Sequence, residues 1–167
     1  DVIIDTHMYR SRKYPFMICD VDRVVFLPDG SIAILECKTT TEFNKDAWEG
    51  GAIPKPYKLQ AMHYMATLDV DVCYIACIYG NTPNEFICHR IERDLEEEKE
   101  MIEIERNFWE NHVLANIEPA PSNNGLLDIE VFRKYSGYAD PSLPVYLFDK
   151  SDLEPAKEII DLMEMKS

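Results

Sequence analysis

Residues 17–41 read MICDVDRVVFLPDGSIAILECKTTT, and the fold follows from how this stretch pairs with itself. Two apolar arms flank Leu27-Pro28-Asp29-Gly30-Ser31, a turn in which Pro presets φ and Gly accepts a positive φ. Side chains alternate along a strand. Asp20, Asp22, Val24 and Phe26 therefore share one face of the first arm, and Ile32, Ile34, Glu36 and Lys38 one face of the second. Folding about Asp29 sets Asp22 opposite Glu36 and Asp20 opposite Lys38, with Cβ atoms of each pair roughly 5 Å apart. Three carboxylates and one ammonium are expected at the charged end of an apolar hairpin.

Carboxylates that close repel, and a half-buried sheet end tolerates them only with a cation or a proton among them. A divalent metal is the natural partner. Oxygen ligands without a His or Cys cluster favour Mg²⁺, with Mn²⁺ able to substitute, over zinc, and Mg²⁺ typically takes one or two carboxylates plus substrate phosphate. That combination points to phosphodiester chemistry.

Asp22, a turn and then Glu36-Cys37-Lys38 resemble the PD-(D/E)XK nuclease motif. The neighbours extend the likeness. Tyr14-Pro15-Phe16-Met17 precedes the first arm, Leu35-Glu36-Cys37-Lys38-Thr39-Thr40 ends the second, and Gln60-Ala61-Met62-His63-Tyr64 follows, similar to the Gln-x-x-x-Tyr element of RecB-like and lambda-exonuclease-like nucleases. Together, residues 14–121 resemble YqaJ-type viral recombinases, the phage alkaline-exonuclease branch. The resemblance implies an α/β fold with a restriction-endonuclease-like core, a central mixed β-sheet flanked by helices. It implies an Mg²⁺-dependent deoxyribonuclease in which Asp22, Glu36 and the Cys37 backbone carbonyl hold the metal. Lys38 would position or activate the attacking water and stabilise charge growing on the phosphate. Gln60 would orient water or phosphate, and Tyr64 would support its helix and face substrate. Apart from the resemblance, Trp48 is expected on the substrate side, and Arg12, with His7, Arg10 and Lys13, is expected either in a solvated loop or facing the DNA backbone. Asp20, where relatives often carry a small or amide residue, is expected either to bind a second metal or to pair with Lys38, the pairing being preferred.

The implied reaction degrades one strand of linear double-stranded DNA from its 5′ end. The 3′ overhang would pass to a single-strand annealing protein in phage-type recombination. Ring-shaped trimers occur in the lambda-type branch, and the cytoplasm of a bacterial host is the expected location. An endonuclease on the same core is the related alternative. A non-catalytic acidic interaction module is the alternative of another class.

The 167 residues, 46% of them hydrophobic, suffice for a sizeable core. A formal net charge of −14 opposes broad, nonspecific nucleic-acid binding. Much of the acid lies in residues 92–105, whereas Arg10, Arg12, Lys13, Lys38, Lys45, Lys55 and Lys58 are expected to surround the motif. Cys19, Cys37, Cys73, Cys77 and Cys88 form no Cys-x-x-Cys pair. All five read as reduced core residues, which argues against an iron–sulfur cluster. No apolar run approaches the ~18 residues of a membrane span, and no signal-peptide pattern opens the chain.

Residues 1–5 open without Met and read as a strand, so an upstream part of the core, with a further acidic ligand, is expected outside the numbered chain. Residues 43–56, rich in Gly and Pro, read either as a substrate-facing lid or as a surface connection in which Trp48 caps the core. Residues 57–68 read as a helix that buries Leu59, Met62, Met65 and Ala66 and turns Gln60 and Tyr64 toward the charged hairpin end, with His63 structural. Residues 70–79 and 85–90 read as a hairpin turning through 80–84. A helix is expected through about residue 115, with Leu95, Ile102, Trp109 and Val113 as a buried stripe. Its ion pairs Arg93–Glu97, Lys99–Glu103 and Arg106–Glu110 put the cation first, the weaker order. Residues 1–121 are read as the nuclease core and 122–167 as a C-terminal extension packed on it or on a neighbouring subunit. Within that extension, 126–135 reads as a helix or strand, 144–148 as a strand and 153–165 as a helix.

Overall fold

The computed structural model describes residues 1–80 and 86–121, with isolated positions 130, 131, 134 and 142 beyond them. The chain divides into Asp1–Pro119 and Ala120–Ser167, and every element below belongs to the first unit. The elements read at 144–148 and 153–165, the turn at 81–84 and most of 126–135 fall outside the described positions.

Five strands form one mixed sheet in the order β1-β4-β5-β6-β7: Val2–Ile4, Arg23–Phe26, Ile32–Thr40, Val72–Tyr79 and Phe86–Glu92. The long central strand β5 pairs antiparallel with β4 and parallel with β6. A parallel neighbour requires a crossover. Here it comprises a 3-10 segment, Glu42–Gly51, and the helix α1, Lys55–Leu68. That route brings α1 against the sheet. The hairpin turn closes as its residues dictate: Gly30 N donates to the Leu27 carbonyl at 3.0 Å, Asp29 accepts from Ser31 N at 2.9 Å, and Gly30 sits at φ +84°.

The first arm of the hairpin is not one strand. Ile18–Asp20 forms β3 and pairs with β2, Met8–Arg10, in a separate ribbon that places Met8 opposite Asp20. Met17, Cys19 and Val21 are buried, whereas Ile18 and Asp20 are exposed. Beyond Val21 the inward parity changes to Asp22 and Val24. An unbroken alternation therefore put Asp20 and Asp22 on one face, and a bend at Val21–Asp22 separates them.

Sheet and helices enclose a core that includes Ile34, Ile75, Met62, Met65 and Trp48. In α1 the buried positions are Ala61, Met62, Met65, Ala66 and Thr67, while Leu59 is 42% exposed. The helix α2 runs Leu95–Phe108, with a π-helical turn Trp109–Leu114 after it. Asp94 caps it by accepting from the amides of Glu96 and Glu97. Its expected stripe is corrected. Ile102 is buried beside Met101, but Leu95, Trp109 and Val113 are exposed, because α2 meets α1 through its middle, from Glu97 to Glu105, and among the described residues Trp109 finds only Phe16 to stack on. The ion pairs change with it. Arg93 reaches Glu98 in a two-pronged contact at 2.6 and 2.9 Å and also Asp69 at 2.7 Å. Arg106 takes Glu103, and Lys58 crosses from α1 to Glu97. These cations neutralise part of the acidic run.

His63 joins three elements. Its Nδ1 lies 2.8 Å from Glu105 Oε1 on α2 and its Nε2 lies 2.9 Å from the Ile18 carbonyl on β3. Both partners are acceptors, so both ring nitrogens donate only in the imidazolium. Burial alone pushes the His63 pKa down, but the hydrogen bonds to Glu105 and Ile18 outweigh it and leave the pKa above its ordinary value. Stability from this clasp is full below the unfolded-state pKa and is lost as pH rises through the higher folded-state pKa. In urea titrations from about pH 6 upward, His63→Gln is expected to lose midpoint most at the acidic end and to converge on the parent as pH rises.

Candidate active site

The site forms where β5 outruns β4. The ladder runs from Phe26↔Ile32 to Arg23↔Leu35, so its next step brings Asp22 opposite Glu36 and leaves 36–40 unpaired on that side. Side chains fill the fork. Cys37 N donates to Asp22 Oδ2 at 2.8 Å, and Asp22 N donates to Glu36 Oε1 at 3.3 Å. Lys38 Nζ donates to Glu36 Oε2 at 2.8 Å. Within a strand, the N–H and C=O of one residue point toward the same neighbour, so the Cys37 carbonyl lies on the Asp22 side. Glu36 is 2% exposed. Among the described residues no group of three His, Cys, Asp or Glu side chains stands together. Two carboxylates, Asp22 and Glu36, therefore meet at the fork, and Asp20, the third expected at this end of the hairpin, lies elsewhere.

From α1, Gln60 Nε2 donates to the Tyr64 hydroxyl at 2.9 Å. Burial first, with the negative charge of Glu36 adding to it, holds the Tyr64 pKa above its ordinary value. The phenol stays protonated, and with its oxygen accepting from Gln60 its own O–H is left to donate elsewhere. The ring of Tyr57 lies beneath Lys38, with Nζ 5.5 Å from its centroid, and stacks on Trp48 at 5.3 Å. Tyr57 was not anticipated. The signal was present, because Tyr57, Gln60 and Tyr64 are spaced three and then four apart on one helical face.

Three expectations about the site need correction. Asp20 sits in the β2–β3 ribbon, exposed, and Lys38 pairs with Glu36 instead. Trp48 is 1% exposed and its carbonyl faces His89 Nε2 at 3.1 Å, so it caps the core and presents no surface to a substrate. Arg12, by contrast, is exposed and lines a concavity together with Leu68 and Asp69 at the C-terminal end of α1. The basic rim is partly engaged elsewhere, since Lys58 pairs with Glu97 and Lys45 lies over the Tyr79 ring. Of the cysteines, Cys19, Cys73 and Cys77 are buried, but Cys37 and Cys88 are exposed on the sheet face turned away from α1. Burial pushes the thiols of Cys19 and Cys73 up to about 12.

A mixed five-stranded sheet flanked by helices, with acidic side chains at a strand fork, defines an α/β protein with a restriction-endonuclease-like core. Residues 1–71 match the YqaJ-like viral recombinase domain, so this part of the chain is similar to that family. The YqaJ protein of Bacillus subtilis, strain 168, is 33% identical over 129 residues, which cover 76% of this chain and 39% of that protein. The chain thus spans well under half of that relative. Among solved structures, LHK-Exo in complex with dAMP aligns with a TM-score of 0.56 at 18% identity, covering 80% of this chain and 61% of the other. A structure of the alkaline exonuclease LHK-Exo from Laribacter hongkongensis gives 0.38 at 20% identity, covering 65% and 53%, too low to bear on the fold. No helix among the described residues is long and apolar enough to cross a membrane.

Proposed function

We propose that this chain is the catalytic core of an Mg²⁺-dependent exonuclease that hydrolyses linear double-stranded DNA from 5′ to 3′. The observation that carries this reading is the fork, where Asp22, Glu36, Cys37 and Lys38 are joined by three hydrogen bonds around the buried Glu36 carboxylate. The kinship of residues 1–71 with viral recombinases supports the substrate class and a place in phage-type recombination. There the 3′ overhang would serve a single-strand annealing protein, with a trimer as the assembled form.

Asp22, Glu36 and the Cys37 carbonyl fit Mg²⁺, which needs one or two carboxylates and leaves its other positions to water and phosphate. When bound, the ion would act as a Lewis acid on the phosphate and lower the pKa of the attacking water. Buried Glu36 holds Lys38 by its ammonium, so the cation is fixed where negative charge grows on the phosphate. Tyr57 supports the same ammonium from below. Gln60 is bonded to Tyr64, which fixes its amide for orienting water or a phosphate oxygen.

The test uses the protein on linear and on covalently closed circular duplex DNA, with Mg²⁺ and with chelator, and with either strand end labelled. Mg²⁺-dependent loss of linear DNA only, beginning at the 5′ label, is the expected result. Cutting of circles would replace the exonuclease with an endonuclease on the same core. No cleavage of either by folded protein would leave an acidic binding module.

A further inference from the structure

The end of β2 and the turn that joins it to β3 carry Arg10, Arg12 and Lys13 in a chain with 31 acidic and 17 basic residues. Cations here are mostly engaged: Lys38 with Glu36, Lys58 with Glu97, Arg90 with Glu92, Arg93 with Glu98 and Arg106 with Glu103. Arg10 and Arg12 make no ion pair among the described residues, although both are exposed. Lys13 leans on the Tyr14 ring, with Nζ 5.0 Å from its centroid. The turn itself is tightly bonded. Ser11 N donates to the Met17 carbonyl at 3.0 Å, Met17 N to the Tyr14 carbonyl at 2.9 Å and Tyr14 N to Ser11 Oγ at 3.1 Å, and Ser11 is buried. The three basic side chains therefore project from a fixed base. They border a concavity of about 580 Å³ whose wall also holds Arg93. Its two carboxylates, Asp69 and Glu98, are both bonded to that arginine. Four cations against two engaged carboxylates leave a positive hollow on an acidic protein.

We infer that this hollow binds the phosphodiester backbone of the DNA strand that enters the fork, as a second anchoring site separate from the carboxylates. The inference rests on the nuclease reading for its substrate. Position supports it. Arg10 pairs across the ribbon with Ile18, and Asp22 lies four residues beyond Ile18, so its Cα is at most about 18 Å from that of Arg10, about 5 Å across the pair and about 13 Å along the strand. That is about five nucleotides of a duplex strand. Unpaired arginines at that reach take phosphate oxygens, for which the guanidinium fork is shaped. The location also accounts for how a chain of net charge −14 can hold a polyanion, through a local patch rather than a general field.

The test is binding of end-labelled linear duplex by the full chain in chelator, followed by fluorescence anisotropy over a salt series. Arg10→Gln/Arg12→Gln is expected to weaken binding by about 10-fold or more and to reduce the slope of log K against log salt by about 2, one step per lost phosphate contact. Arg10→Lys/Arg12→Lys should restore most of the slope, which loss of folding would not allow. Arg90→Gln, which removes a cation already paired with Glu92, should change neither quantity. The loss should be the same on 5′-phosphate and 5′-hydroxyl ends; a loss confined to the 5′-phosphate would overturn the backbone assignment. Unchanged affinity and slope in the double Gln variant, with Mg²⁺-dependent cleavage intact in the parent, would overturn this site and spare the nuclease reading. Arginine-dependent binding without any cleavage would do the reverse.

Discussion

Replacing Lys38 with alanine is expected to lower Mg²⁺-dependent cleavage of linear duplex DNA by about 10²-fold or more, the scale on which one well-placed charge-stabilising donor acts. A second effect separates this lysine from an ordinary surface cation. Its partner Glu36 has a side chain only 3% exposed, and removing one member of a buried ion pair strands the other at a cost of about 3–5 kcal/mol. Thermal unfolding in chelator should therefore show Lys38→Ala well below the parent. Mg²⁺ should raise the midpoint of the variant more than that of the parent, because a cation bound only by the folded state stabilises it and here would also neutralise Glu36. Equal midpoints with and without Mg²⁺, in both proteins, would remove the metal from the site while leaving the ion pair in place.

Trp48→Ala is the other large effect. A tryptophan that is 1% exposed and stacked on Tyr57 leaves a cavity when truncated, and the loss expected is about 3–5 kcal/mol. Trp48→Phe keeps an aromatic face and should lose less. The substrate-facing role expected from the sequence predicts the opposite pattern, namely unchanged urea midpoints with weakened DNA binding. Tyr57 adds a graded consequence. With its support gone, the Lys38 ammonium 5.5 Å above the ring has one less constraint, so Trp48→Phe should retain more cleavage than Trp48→Ala when both are assayed well below their unfolding midpoints.

The hairpin was legible because two independent signals agreed. A Pro-Asp-Gly turn fixed where the chain reverses, and the resulting register put Asp22 opposite Glu36 without knowledge of any other element. The helix with Gln60 and Tyr64 was legible for the same reason, as spacing and apolar pattern coincided over residues 57–68, most of the helix that forms. Asp20 failed where alternation was extended through a bend. Met17, Cys19 and Val21 are as apolar as Val24, so hydrophobicity alone does not show where the parity changes. Trp48 could be read two ways because exposure of a lone aromatic in a Gly- and Pro-rich stretch is decided by tertiary packing, here against Tyr57. Leu95 and Val113 failed because a periodic apolar pattern shows that a helix has a stripe, not how much of the stripe meets a neighbour.

The change of parity at Val21–Asp22 sets which lengths of chain can vary. Extra residues in the turn 27–31 would lie beyond the paired register and leave Asp22 facing Glu36. One residue gained or lost between Asp22 and Phe26, or between Ile32 and Glu36, would rotate a carboxylate to the opposite side of the sheet. The fork should therefore tolerate substitution along these arms far better than it tolerates insertion. Length, counted from the turn inward, is the inherited quantity that keeps the two acids together.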